Sequence, residues 1–379
     1  MPVAEKSHLP RGDQGVRSLL ANDLVIQESN CNLSCKYCLT GQSKFKADHL
    51  DQLIFQPPSR SDCGQGTALG AALERIVVST VSRLDLPIAK VTGGEIFLIK
   101  GIIDFIERLA GMVSTVVVQT NGVLIKPDQL ERLAALENMC LQVSLDSTEY
   151  SGNSYRSGTP ALHDKIFNRL HRIFSAGIPI EIYCVLNDRS LPQLETTLAV
   201  LRSYGPHLTI FPFPIRGPDR DDFYPRPEQI HILHRILDRY DEFLPVMPPR
   251  AYWRRLISYF EEGGRTFRCH LPRFAFTTFE DGQVTSCPNI WFNKIGNLLS
   301  EPPEDVTQRI GNTPFHQILL APKPRLDACR SCFTPWDMLS MFLDGEITLD
   351  ELCEGPMYRS SATRVRLQQI AADYYDAKV

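Results

Sequence analysis

Three cysteines fall within eight residues, Cys31-Asn-Leu-Ser-Cys35-Lys-Tyr-Cys38, and this cluster constrains the chain more than any other feature. Thiolates are soft ligands that suit zinc and iron-sulfur clusters. Three so close together are not explained as independent buried residues, each filling its own place in a core. The next cysteine is Cys63. A tetrahedral zinc site needs four ligands, whereas a four-iron cluster held by three thiolates leaves one iron open to a small molecule. The chain holds eleven cysteines in all. A disulfide network of that size would be unusual in a reducing compartment, where clustered thiols more often bind metal.

That compartment is expected to be the cytoplasm. The opening MPVAEKSHLPRGDQG lacks an apolar core, and no uncharged apolar stretch reaches the about 18 residues of a membrane-spanning helix. The formal net charge is −4 and no run of Lys or Arg exceeds two residues, so neither nucleic acid nor a membrane surface is an expected partner. At 379 residues, 43% hydrophobic and 22% charged, the chain has the material for two domains.

Short β-like runs alternate with amphipathic helical segments through the first half, the pattern of βα units around a parallel sheet. Strands are predicted at 23–29 (DLVIQES), 87–92 (PIAKVT), 115–120 (TVVVQT), 140–146 (CLQVSLD), 179–187 (PIEIYCVLN) and 207–213 (HLTIFPF). Helices are predicted at 100–111, 128–137 and 161–176, the last closed by Gly177. The fold class is α/β, a partial (β/α)6 barrel. In two strands the alternation puts polar residues on one face: Gln142, Ser144 and Asp146, and then Glu181, Tyr183 and Asn187. A buried parallel strand reads apolar on both faces, so these imply a solvated or ligand-filled lumen.

The charged, Pro-rich GPDRDDFYPRPEQ, residues 217–229, reads as a linker, and helices follow at about 227–244 and 251–262. Beyond them, alternation around Asp281-Gly282 predicts a hairpin flanked by Cys269 and Cys287. The tail at 360–377 is helical by pattern. The expected organisation is an extension (1–22), the barrel (23–216), a linker with helices (217–262), a small hairpin-plus-helix iron-sulfur domain (263–358) and a C-terminal helix (359–379).

CNLSCKYC resembles the CxxxCxxC motif of the radical S-adenosylmethionine (SAM) superfamily, with Tyr37 as the usual aromatic residue before the third Cys. The resemblance implies that Cys31, Cys35 and Cys38 hold an open [4Fe-4S] cluster whose free iron is chelated by SAM. Reductive cleavage would release a 5′-deoxyadenosyl radical that takes a hydrogen atom from substrate, chemistry that the cofactors supply and the protein orients and shields. An external one-electron donor such as a flavodoxin or ferredoxin is also implied. KVTGGE, 90–95, resembles the family's Gly-Gly-Glu element, giving Gly93, Gly94 and Glu95 a role at the methionine ammonium, although Ile96 stands where Pro is common. By the same resemblance Asn121, Ser144, Asp146 and Asn187 would contact SAM, and Arg156 would pair with its carboxylate.

Cys269, Gly282, Cys287 and the pair Cys329-x-x-Cys332 are spaced like the twitch domain, a shortened SPASM auxiliary-cluster domain. This implies a second, closed [4Fe-4S] cluster; a structural zinc ribbon is the rival reading. Full SPASM domains continue with further cysteines where this chain has Met338 and Phe342, and Cys353 is left over. A closed cluster can take or relay an electron, which favours net oxidation. The plan is similar to that of the aminocyclitol dehydrogenase of butirosin biosynthesis, so the leading substrate is a small hydroxylated metabolite. Glu181, Tyr183, Arg216 and His270 are the candidate bases. The alternative is a maturase that crosslinks, epimerises or oxidises a ribosomally made peptide. Relatives of that kind usually carry a leader-binding domain ahead of the barrel, and only 30 residues precede Cys31. A non-catalytic zinc or iron-sulfur protein is the third reading.

Overall fold

The structure is a computed structural model that describes residues 18–27, 30–38, 70–216 and 220–376. Cys63, most of the predicted N-terminal extension and residues 217–219 of the predicted linker lie outside the described residues. Six parallel strands, β1 (Ala21–Ile26), β2 (Ile88–Gly93), β3 (Thr115–Thr120), β4 (Met139–Ser144), β5 (Ile180–Leu186) and β6 (Leu208–Pro214), form the expected α/β partial barrel. They pair in chain order, each with the next. Val/Ile-rich runs such as TVVVQT suit positions covered on both faces, and β3 is buried at five of its six residues.

Helices between the strands cover the outer face. The Ile102–Ala110 helix buries Ile102, Ile103, Phe105, Ile106 and Leu109, a stripe at helical period. The Pro160–Phe174 helix opens with Thr159, whose side chain accepts a hydrogen bond from the Leu162 N–H. It ends before Gly177, which adopts φ 72°.

The predicted hairpin forms but does not stand apart. β7 (Ala275–Phe279) and β8 (Gln283–Cys287) are antiparallel, turning through Gly282 at φ 79°. β9 (Ile290–Asn297) follows. The other edge of β7 pairs in parallel with β1, Asp23 facing Thr277, so one nine-stranded sheet runs β6-β5-β4-β3-β2-β1-β7-β8-β9. Side-chain alternation identifies a strand but not the edge it joins. The C-terminal helix Ser361–Asp376 returns to the barrel, where Arg366 donates to the Leu19 carbonyl at 3.0 Å.

Candidate active site

Residues 30–38 follow β1 at the carboxyl end of the parallel strands, where open α/β sheets place their ligands. Cys31, Cys35 and Cys38 line a cavity of about 250 Å3 together with Gly93, Gly94 and Arg156. Both glycines are required by close approach. A Cβ on Gly93 would stand 1.8 Å from the Ile26 carbonyl oxygen, and one on Gly94 2.2 Å from that of Asn30. Hydrogen bonds hold the approach: Gly94 N–H donates to the Gln27 carbonyl at 3.3 Å and Glu95 N–H to that of Asn30 at 2.8 Å. The Glu95 carboxylate is 2% exposed and faces the protein. It accepts from Thr120 Oγ1 at 2.7 Å, Asn121 N–H at 2.8 Å and Phe97 N–H at 3.2 Å. It thus brackets β2 to β3 and leaves the cavity edge to the glycine backbone.

Asp146 and Arg156 form a buried ion pair at 3.0 Å. Tyr37 donates its hydroxyl to the other Asp146 oxygen, and Arg156 Nη1 lies 3.7 Å from Cys35 Sγ. The aromatic residue of the motif and the arginine thus meet on one carboxylate. Arg156 Nε is buried with no hydrogen-bond partner among the described residues. Burial pushes the Cys35 thiol up to about 12, against the nearby Arg156 charge, and raises that of Cys31. Such thiols ionise readily only when a cation arrives, so any metal loading at this site would be coupled to proton release. Asn121 Nδ2 approaches Cys31 Sγ at 3.8 Å and bonds Asn32 at 2.8 Å.

Of the candidate bases, Tyr183 and Arg216 line the cavity, as does Ser144. Glu181 is engaged elsewhere, accepting from Gln142 Nε2 at 2.7 Å and from the Met357 N–H at 3.2 Å. His270 is fully buried against Asp344, 3.1 Å away, outside the cavity. The Asn187 side chain accepts from the Arg189 and Ser190 N–H groups, both at 2.9 Å, and shapes the turn after β5. Sequence reasoning missed Asp23 and Lys90, which both line the cavity and face one another across β1 and β2. The available signal was a single charged residue inside each of two apolar strands.

The four C-terminal cysteines come together as well. Cys269, Cys287, Cys329 and Cys332 line a second, smaller cavity, which shares Asn289, Thr334 and Trp336 with the first. Asn289 Nδ2 lies 3.4 Å from Cys332 Sγ, and Arg216 Nη1 lies 3.9 Å from the same sulfur while also donating to Asn289 Oδ1. Burial, with repulsion from neighbouring thiolates, raises Cys287, Cys269 to about 11 and Cys329 to about 12. Cys353 packs in the main core, outside this cavity, and Met338 is also buried there. Among the described residues no three His, Cys, Asp or Glu side chains close on the position of one metal ion.

Residues 29–201 match the radical SAM superfamily. That stretch, just under half of the chain, is similar to a radical SAM domain. Among curated proteins, the sporulation killing factor maturation protein SkfB of Bacillus subtilis is 23% identical over 191 residues, 50% of this chain and 41% of SkfB. The mycofactocin maturase MftC of Mycobacterium tuberculosis is 25% identical over 203 residues, 52% of this chain and 47% of MftC. The chain spans about half the length of the curated relatives it matches. Among solved structures, Streptococcus suis SuiB bound to precursor peptide SuiA superposes with a TM-score of 0.56 at 15% identity, over 83% of this chain and 70% of SuiB. That likeness shows the fold, a partial barrel. The radical SAM domain accounts for three thiols beside a glycine-backbone edge, a donor set that fits an open [4Fe-4S] cluster and SAM. No helix among the described residues is long and apolar enough to cross a membrane.

Proposed function

We propose that this chain is a radical SAM enzyme that modifies a peptide. The observation that carries the radical reading is the single cavity lined by Cys31, Cys35, Cys38, the Gly93-Gly94 edge and Arg156. When bound, the open cluster and SAM supply a reductively generated radical that removes a hydrogen atom from substrate. Around them the protein's own groups have distinct tasks. The glycine edge presents backbone without side chains, Asp146 orients Arg156 and Tyr37, and the Arg156 Nε remains as a donor for the SAM carboxylate.

Peptide modification replaces the hydroxylated metabolite as the leading substrate reading because the named relatives are maturases and SuiB is seen with a precursor peptide. The four-thiol cavity supports an auxiliary [4Fe-4S] cluster held by Cys269, Cys287, Cys329 and Cys332, which would exchange electrons with a substrate seated across the shared wall of Asn289, Thr334 and Trp336. The first cluster would be reduced by a flavodoxin or ferredoxin.

Anaerobic reconstitution tests the reading: about eight irons per chain and dithionite-dependent release of 5′-deoxyadenosine from SAM are expected. A colourless, zinc-loaded protein without cleavage overturns it. Deuterated peptides and deuterated polyols, offered in parallel and read as label in 5′-deoxyadenosine, decide between peptide and metabolite.

A further inference from the structure

Asp23 and Lys90 occupy facing positions on β1 and β2. Both lie in strands that are otherwise apolar at their centres, and both are nearly inaccessible, at 4% and 5% exposure. The Lys90 ammonium is 3.8 Å from Asp23 Oδ2, a charge contact longer than a hydrogen bond. It sits between two aromatic rings, 5.8 Å from the centre of Tyr183 and 5.9 Å from that of Trp336. Asp23 Oδ1 and the Tyr183 hydroxyl are buried without a hydrogen-bond partner among the described residues. All four side chains line the cavity that the three N-terminal thiols line.

A buried ion pair is stable when its remaining donors and acceptors are satisfied, and each one left unmet costs free energy. The other buried carboxylates of the described barrel residues meet this condition internally, Glu95 through three donors, Glu181 through two and Asp146 through Arg156, Tyr37 and the Val185 N–H. Asp23 does not, and it is the one carboxylate among the residues lining the cavity. Its pair with Lys90 has no net charge, so a free anion or cation gains little there. What the site offers is an acceptor at Asp23 Oδ1 beside donors at Lys90 Nζ and Tyr183 Oη. That is the complement of a neutral group with one N–H or O–H and one acceptor oxygen.

We infer that Asp23, Lys90 and Tyr183 form a substrate-docking site for a neutral donor–acceptor group, a backbone amide of the peptide whose modification is proposed above. The amide oxygen accepts from Lys90 and Tyr183, and its N–H donates to Asp23. Trp336, which borders both thiol-lined cavities, closes the site on the side of the four cysteines. The inference rests on the radical SAM reading for the place of the site, in the cavity that the three N-terminal thiols also line.

The test uses the reconstituted, SAM-loaded protein and ligand-observed NMR, in which relaxation of a probe is enhanced while it is bound to the slowly tumbling protein. The probes are N-acetylalanine methylamide, methyl glucoside and acetate. The amide should be relaxed by the wild type, and its affinity should fall about tenfold in Lys90→Met and in Tyr183→Phe, the loss expected of one hydrogen bond to a buried polar group. Acetate should show no site-dependent effect. Because single changes leave a buried charge, the paired Asp23→Leu, Lys90→Met variant is the second arm, keeping the volume apolar and the fold intact. Equal relaxation of the amide by the wild type and the paired variant, or acetate binding as tightly as the amide, overturns the inference. Methyl glucoside binding in preference to the amide also overturns the peptide assignment. Dithionite-driven SAM cleavage is measured on the same samples: its absence in the wild type condemns the radical reading, whereas its presence with unchanged probe binding condemns only the docking site.

Discussion

The two thiol sites are built on the same plan up to a point. Each has a buried arginine beside a cysteine and a buried aspartate that already holds that arginine: Arg156 with Asp146 near Cys35, and Arg265 with Asp337 near Cys269. They differ in what the thiols face. The N-terminal three line a cavity of about 250 Å3 walled by strand ends and glycine backbone, while the C-terminal four line one of about 30 Å3 and are supplied from separated stretches of chain. Burial outweighs the arginine charge at both Cys35 and Cys269 and holds the two thiols above the ordinary value. The difference in space leaves room for a further ligand beside the N-terminal set and little beside the C-terminal one.

The largest expected effect breaks that comparison outright. Replacing Cys31, Cys35 and Cys38 with Ala should abolish SAM cleavage and leave about four irons per chain, whereas replacing Cys269, Cys287, Cys329 and Cys332 should also leave about four irons but retain cleavage. Loss of cleavage in both variants, measured as 5′-deoxyadenosine, would erase the distinction between an open and a closed site.

Next in size is Arg265→Met. Arg265 donates to the Cys332 carbonyl at 2.7 Å and pairs with Asp337 at 2.6 Å, both ends of the pair nearly inaccessible. Removing one partner of a buried pair costs about 3–5 kcal/mol, so chemical denaturation should show a loss of that order. A paired Arg265→Met, Asp337→Leu variant should recover most of it.

A smaller effect concerns the tie between barrel and C-terminal region at Glu181. Burial raises its carboxyl above the ordinary 4.5, opposed by hydrogen bonds from Gln142 and Met357. The folded state therefore binds a proton more tightly than the unfolded chain, and this contribution to stability is present below about 4.5 and lost as pH rises through the raised value. Denaturation measured between pH 4.5 and 7 should show a shallower fall in Glu181→Gln than in the wild type.

The smallest change is expected at Cys353. It packs in the main core away from the four-thiol cavity. Cys353→Ala should leave iron content unchanged and cost about 1 kcal/mol. Loss of iron would make it a ligand and reopen the assignment of the other four.

Much of the architecture was legible because Val- and Ile-rich runs have few alternatives to a buried strand. TVVVQT occupies 115–120 in both readings, and the other five parallel strands begin and end within three residues of their predicted bounds. The pairing of β7 with β1 was not legible, since the two strands lie about 250 residues apart and no local pattern selects an edge. At the site, residue type exposed both cysteine sets, because soft ligands in clusters have few other uses. The candidate bases were harder. Glu181 and Tyr183 share a strand face by alternation, yet Tyr183 borders the cavity while Glu181 is held by Met357, a partner 176 residues away. Alternation fixes the face of a side chain and says nothing of what packs over it. Asp23 and Lys90 were hidden for the same reason, each looking like a lone charge in an apolar strand until β1 and β2 were placed side by side.

The parallel pairing of β1 with β7 carries a consequence for electron flow. The segment bearing Cys31 leaves the end of β1, and Cys287 ends the strand that pairs with β7. An electron passing between clusters at the two sites would tunnel across a gap set by backbone hydrogen bonds rather than by the docking of a mobile module. Tunnelling slows steeply with distance, so the rate of that transfer would be written into the register of the sheet.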